Sequence, residues 1–170
     1  EISQDGSIYI TGNTNGDLDG ETNNGNHPFQ PGSDVFISKL NSNGNQLWTK
    51  LIGNSETQYG AGLEISEDGS IYVSGYTKDD LDDQINNGSY DAFISKFDTA
   101  GNKLWTKLIG SSDKETVEDI EISQNGSIYV AGHSNGNLDG EINSGSYDGY
   151  IISLRDQTPT ESNDTFIGTS

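Results

Sequence analysis

The sequence predicts an all-β protein built of β-propeller blades, with about three four-stranded antiparallel blades that form an incomplete ring within this chain. GSIY stands at Gly6, Gly69 and Gly126, and LWTKLIG begins at Leu47 and again 57 residues later at Leu104. A repeat period of this size indicates a modular architecture. The apolar residues fall in short strand-like runs between clusters of Gly, Asn, Asp and Ser, and no segment shows a helical pattern.

Each repeat is predicted to contain four short strands. The second copy supplies Leu63–Ser66, Ser70–Ser74, Ala92–Phe97 and Lys103–Ile109. The counterparts are Glu1–Ser3, Ser7–Thr11, Val35–Leu40 and Gln46–Ile52 in the first copy, and Ile120–Ser123, Ser127–Ala131 and Tyr150–Leu154 in the third. A degenerate fourth strand of the third copy is predicted at Thr165–Gly168. Asp-Gly and Asn-Gly pairs predict tight turns between the first two strands, because these residues accept positive φ angles.

The predicted blades divide the chain into residues 1–53, 54–110 and 111–154, followed by a linker and tail at residues 155–170. The first copy carries six extra residues, Asn26–Pro31, and the chain opens within a repeat, which favours a piece of a longer protein. Roughly four to eight blades close a propeller. We therefore expect further blades of the same protein, or copies of the same chain, to be the partners that complete the ring.

The composition excludes several classes of partner. The net charge is −19 and the pI is near 4.1, which disfavours nucleic acid and anionic membrane surfaces. No apolar run is long enough for membrane insertion. The chain has no cysteine, so disulfides and thiolate chemistry are excluded. An extracellular location remains compatible with this, because calcium can stabilise a secreted protein instead.

Two ordered motifs resemble the bacterial SBBP β-propeller repeat: DAFISKFDTAGNKLWTKLIG at Asp91–Gly110 and LEISEDGSIYVSGYT at Leu63–Thr77. The resemblance extends over nearly all of residues 1–154. It implies a propeller fold and a secreted or surface-exposed setting, and it implies no defined catalytic activity. The tail Asn163–Ser170 resembles the start of an RTX-type calcium-binding array. The fourth strand of the third copy is the alternative interpretation of these tail residues.

The loops between the second and third strands are the candidate metal sites. Alternating Asn and Asp oxygens followed by Gly are how a short loop wraps Ca²⁺. The second copy departs from this pattern, with Lys78 in the first slot and Asp83 in place of Gly. The predicted Ca²⁺ ligands are Asn15, Asp17, Asp19, Glu21, Asp80, Asp82, Asn135, Asn137, Asp139 and Glu141. The alternative is an Asx-rich turn whose side chains bind their own backbone.

No pattern of catalytic residues is recognisable. There is no Gly-x-Ser-x-Gly elbow and no His/Cys cluster of the zinc type, so we predict that the chain is not an enzyme. Trp48 and Trp105 occupy equivalent positions in the fourth strand, which favours packing between blades over stacking on a ligand.

The sequence therefore predicts a non-enzymatic scaffold, adhesion or matrix module, located outside the cell or on a bacterial surface, calcium-stabilised and self-assembling. One alternative is a carbohydrate-binding or carbohydrate-active propeller domain, with Tyr76, Tyr90 and Tyr147 facing surface glycans. Another is end-to-end addition of chains into a filament, because open edge strands can pair with a further strand.

Overall fold

A computed structural model of the chain describes residues 1–25 and 32–156, together with the backbone of residues 165–168. The six extra residues Asn26–Pro31, the segment 157–164 and the last two residues lie outside the described residues. The described chain is all-β, and it has no helix long and apolar enough to cross a membrane. Its strands are β1 (Ile8–Thr14), β2 (Asp34–Leu40), β3 (Gln46–Ile52), β4 (Gln58–Ile65), β5 (Ile71–Thr77), β6 (Asp91–Phe97), β7 (Lys103–Ile109), β8 (Glu115–Ile122), β9 (Ser127–Ser134), β10 (Asp148–Arg155) and β11 (Thr165–Gly168).

The strands form three antiparallel sheets in which chain neighbours pair: β1-β2-β3, β4-β5-β6-β7 and β8-β9-β10-β11. The predicted strand Glu1–Ser3 forms only an isolated bridge between Ile2 and Ile8, so the first sheet has three strands. The fourth place of the third sheet is taken by β11, where Ile167 pairs with Ile151 of β10. The predicted fold class, propeller-type blades in an incomplete ring, is confirmed.

The first strand of each complete blade begins earlier than the sequence predicts. β4 begins at Gln58 and β8 at Glu115, and both of these polar side chains are fully buried. A β-bulge lies between Gly60 and Gly62 in β4, and β8 has a bulge at the equivalent place. An extra residue in one strand breaks the alternation of apolar and polar positions. The alternation in the sequence therefore predicted only the second half of β4 and of β8, which follows the bulge.

The Asp-Gly turns have a different geometry from the predicted one. In the first copy only Gly6 has a positive φ, of 80°, and its N–H donates to Ser3 O at 2.9 Å. This arrangement is typical of a type I turn followed by a left-handed Gly. Asp5 serves the turn through its carboxylate, which accepts hydrogen bonds from Ser3 Oγ and from Ser7 N at 2.9 Å. These hydrogen bonds hold the pKa of Asp5 at about 2.

The hydrophobic core lies between neighbouring sheets. One cluster joins the first two sheets and comprises Tyr9, Val35, Ile37, Ile52, Ile71, Val73, Leu81, Phe93 and Phe97. The other joins the second and third sheets and comprises Tyr72, Ala92, Ile94, Ile109, Val117, Ile120, Ile128, Val130, Leu138, Tyr150, Ile152 and Leu154. Because the central sheet is covered on both faces, every residue of β6 is buried, whereas β10 alternates between buried and exposed residues.

The second and third sheets meet at their first strands, as blades do around a propeller axis, and the first sheet meets the second through β1, which is the second strand of its repeat. β4 lies against β8, and β1 lies against β4. The prediction that tryptophan packs between blades is confirmed for Trp48. A Cβ added to Gly101, in the turn after β6, would lie 3.1 Å from the Trp48 ring, and Tyr9 meets the same ring edge-on at a centroid distance of 6.1 Å. Tyr72 and Trp105 repeat the edge-on pair in the next blade.

Candidate functional site

The loops predicted to bind metal each contain a tight hairpin. In the first copy Leu18 N donates to Glu21 O at 3.0 Å and Glu21 N donates to Leu18 O at 2.9 Å. The two central residues, Asp19 and Gly20, have φ angles of 54° and 87°. Positive φ at both central positions defines a type I′ turn, which prefers Asn, Asp and Gly. Turn geometry therefore accounts for the Asp-Gly pair without a metal. The same hairpin recurs at Leu81–Gln84 and Leu138–Glu141.

A second predicted ligand in each loop already binds the backbone of its own loop. Asp17 Oδ1 accepts a hydrogen bond from Asn23 N at 3.0 Å, and the Asn23 amide donates in turn to Thr14 O at 2.8 Å. The pattern is repeated for Asp80 and Asn86 at 2.8 Å, and for Asn137 and Asn143 at 2.9 Å. These contacts are those of the Asx-rich turn that was the alternative prediction.

Other predicted ligands contact the fourth strand of their own blade. Asp19 Oδ2 accepts a hydrogen bond from Thr49 Oγ1 at 2.8 Å, and Glu21 pairs with Lys50 at 2.6 Å. In the second blade Asp82 accepts from Thr106 Oγ1 and pairs with Lys103, each at 2.5 Å. These carboxylates therefore attach the loop to the sheet.

The third loop differs in one respect that bears on calcium. Asn135 Oδ1 is buried without a hydrogen-bond partner among the described residues, so it is an unused oxygen. Asn15, Asp139 and Glu141 are exposed. Over the described ranges, no three His, Asp or Glu side chains form a group that could hold a metal ion. As arranged, the loops do not surround Ca²⁺ with the six to eight oxygens that it takes, and calcium binding stays a prediction.

The sequence reasoning missed the leucine in each of these hairpins. Leu81 is 1% exposed and packs in the cluster between the first and second sheets, and Leu138 has the same place between the second and third. Leu18, which has no sheet in front of it within the described chain, is only partly buried. The second and third hairpins thus each carry a leucine into the preceding blade. The Leu-Asp pair in all three copies is the signal that could have revealed this role.

Each end of the described array presents an open sheet face. The first open face, on the first blade, comprises Ile10, Leu18, Phe36 and Leu40, which line a cavity of about 310 Å³. Their equivalents in the second blade, Val73, Leu81, Phe93 and Phe97, are all buried against the first blade. The second open face, on the third blade, comprises Tyr129 and Ile151, each 37% exposed. Their equivalents Tyr72 and Ile94 are buried.

An aromatic cluster lies at one end of the second blade. Tyr59, Tyr76 and Tyr90 have ring centroids 5.0 Å, 5.8 Å and 6.4 Å apart. Lys114 Nζ stands 5.2 Å from the Tyr90 centroid and 5.8 Å from that of Tyr76. The structure thus brings Tyr76 and Tyr90 together, as the carbohydrate hypothesis requires. Tyr147 belongs to the third blade and is 58% exposed.

Buried carboxylates stand at the start of the third strand in two blades. Asp34 and Asp91 are fully buried, and in each the Oδ1 atom has no hydrogen-bond partner among the described residues. Burial raises the pKa of both groups, and for Asp91 the nearby Glu115 adds to the effect. Gly110 leaves room for the Asp91 carboxylate, because a Cβ there would lie 2.0 Å from Asp91 Cγ.

The histidine–carboxylate pair of the described chain is His133 and Glu118, 3.4 Å apart. Their side chains are 51% and 62% exposed. An exposed pair of this kind lacks the desolvation that tunes a catalytic acid or base.

Comparisons with known proteins agree with the blade architecture. A family model described as SBBP, beta-propeller repeat, matches residues 104–139, which run from β7 through β9 into the third hairpin. The chain is similar to the regulatory protein FlaEY of Caulobacter vibrioides, with 28% identity over 158 residues. The alignment covers 86% of this chain and 17% of that protein. The chain therefore spans about a sixth of the length of this curated relative. Residues 104–139 thus match a β-propeller repeat of the SBBP type, and the three sheets have the architecture of propeller blades.

Proposed function

We propose that this chain is a non-enzymatic scaffold module of an exported bacterial protein, and that it extends its array by stacking further blades of the same type on its two open faces. The observation that carries the proposal is the match between these faces and the two interfaces inside the chain. The first open face has the residue types that Val73, Leu81 and Phe93 present to the first blade. The second open face has the tyrosine and isoleucine that pack against such a surface.

Burial of the open faces supplies the driving force. Removing apolar surface from water contributes roughly 25 cal/mol per Å², and exposed apolar patches of this kind mark interaction sites. Front-to-back stacking joins two different faces. A contact of this type produces a ring when the rotation closes and a filament when it does not. The similarity to a protein named as regulatory is compatible with a module that acts by binding rather than by catalysis.

The oligomeric state of the full chain tests the proposal. We expect light scattering to show a mass that increases with protein concentration, and we expect Ile151→Asp to abolish the increase because a carboxylate would be buried at the contact. Leu104→Asp is the control, because this side chain is 53% exposed although its blade has a neighbouring sheet on each side. A wild-type mass equal to one chain at every concentration would contradict self-assembly and leave further blades of the same polypeptide as the occupants.

Localisation and calcium belong to the same proposal. Labelling of intact source cells with an antibody to this module tests the exported setting, and a signal seen only after lysis would oppose it. Calcium stabilisation requires six predicted ligands to exchange the present partners of their side chains: Asp17, Asp19, Glu21, Asp80, Asp82 and Asn137. The Asn135 oxygen is buried and already without a partner among the described residues.

A further inference from the structure

Two of the three tyrosines in the cluster, Tyr59 and Tyr76, depart from the repeat, whereas Tyr90 recurs as Tyr147 in the third blade. The residues equivalent to Tyr76 are Asn13 in the first blade and His133 in the third, and the residue equivalent to Tyr59 in the third blade is Thr116. Buried positions, by contrast, repeat closely, as in Ile37 and Ile94. Blade packing therefore does not require a tyrosine at position 59 or at position 76.

The polar groups of the cluster are available to a ligand. Among the described residues, no phenol hydroxyl of the cluster has a hydrogen-bond partner, whereas the hydroxyl of the core residue Tyr150 donates to Thr116 O at 2.9 Å. Tyr59 is 37% exposed. The Lys114 ammonium contacts two rings, and within the described chain it has no carboxylate partner. Three tyrosines and a lysine thus lie together at a partly exposed aromatic surface.

Two of the tyrosines in the cluster lie in strands, and the other two members are joined to the sheets by backbone contacts. Tyr59 lies in β4 and Tyr76 in β5, and the Tyr90 carbonyl accepts a hydrogen bond from Glu115 N at 2.8 Å, which joins it to the start of β8. Lys114 forms a parallel bridge with Tyr90. A site built on strands keeps its geometry better than one on loops.

Electrostatics select the class of ligand. The net charge of −19 opposes a polyanion. The faces of Tyr76 and Tyr90 already carry the Lys114 ammonium, which opposes a cationic ligand at the position where a cation–π contact would form. A neutral molecule with a stackable ring face and many hydroxyls is the class of ligand that fits the cluster. The aromatic rings supply contact area for it, and their hydroxyls supply hydrogen bonds.

We propose that Tyr59, Tyr76, Tyr90 and Lys114 form a binding site for a neutral polysaccharide, in which a sugar ring lies on the Tyr59 ring and its hydroxyls bind the phenols and the ammonium. The site takes up the carbohydrate hypothesis with Tyr59 in place of Tyr147. It does not require a further blade on either open face, because all four residues lie in the second blade and at the start of the third.

Isothermal titration of the full chain with neutral oligosaccharides tests the site, with cellohexaose, xylohexaose and mannohexaose as probes and oligogalacturonate as the polyanion. We expect saturable binding of at least one neutral probe, with little change in affinity between about 0.05 and 0.5 M NaCl. Tyr59→Ala should weaken binding about tenfold or more. Tyr147→Ala, an exposed tyrosine outside the cluster, is the matched control and should leave the affinity within about twofold.

Tyr76→Phe keeps the ring and removes one hydroxyl, so it separates binding from folding. We expect the same melting temperature as the wild type and an affinity lower by about threefold to tenfold. The proposal is overturned if no neutral probe binds, if Tyr59→Ala and Tyr147→Ala weaken binding equally, or if only oligogalacturonate binds and its affinity falls steeply with salt. Failure of Ile151→Asp to alter the mass would bear on blade stacking and leave this result unchanged.

Discussion

Three equivalent isoleucines give a test of the blade interfaces. Ile37 and Ile94 are fully buried between sheets, and Ile151 occupies the same position on the second open face with 37% of its surface exposed. Truncation to alanine removes three carbons, which corresponds to about 2.4 kcal/mol of transfer free energy when they are buried. The residual cavity adds to this, so we expect a cost of about 3 to 4 kcal/mol for Ile37→Ala and for Ile94→Ala.

Ile151→Ala should cost about 1 to 1.5 kcal/mol in the single chain, because about a third of its surface is already in water and its loss leaves an open surface rather than a cavity. Urea unfolding followed by the fluorescence of Trp48 and Trp105 measures all three variants. Equal losses in the three variants of a chain shown to be monomeric would refute the view that the core lies between blades. Equal losses that disappear on dilution would instead show that another blade covers Ile151.

Three further predictions concern the polar groups of the repeat. Burial raises the pKa of Asp91, so the stability that this group contributes is present below the ordinary Asp pKa, about 3.9, and is lost as pH rises through the raised pKa. Asp91→Asn should therefore be more favourable, relative to the wild type, at pH 7 than at pH 4. An equal difference in urea midpoint between the two proteins at pH 4 and at pH 7 would contradict this prediction. Gly110→Ala should destabilise the fold by about 1 to 3 kcal/mol in urea unfolding, because the new Cβ meets the Asp91 carboxylate. Gly16→Ala is the control, because a Cβ at Gly16 would have no atom within 4 Å. An equal loss of stability in both variants would contradict this prediction. If calcium stabilises the module, it should act through the third loop. Calcium should then raise the melting temperature, and Asn135→Ala should remove the increase. Identical melting temperatures in calcium and in chelator would exclude stabilisation by calcium.

The candidate site was only partly predictable. The acidic loops were recognised as special, but a run of Asn, Asp and Gly suits both a calcium loop and a type I′ turn. The two alternatives differ only in whether Asp17 and Asp19 face a common centre or contact Asn23 and Thr49. Tyr76 and Tyr90 were named from the sequence, but the contribution of Tyr59 was missed for another reason. Tyr59 and Tyr90 are distant in the chain, and Tyr59 lies in the half of β4 that the bulge conceals.

The sequence by itself determined the repeat, the three blades of this chain and most of its strands, because a period of 57 residues and the alternation of side chains are local properties of the chain. Only the tertiary structure decided which faces are covered. Ile37, Ile94 and Ile151 are the same residue at the same place in the repeat, and nothing local distinguishes them. The third is exposed because burial in stacked sheets depends on the neighbouring blade, and the described chain ends its array there.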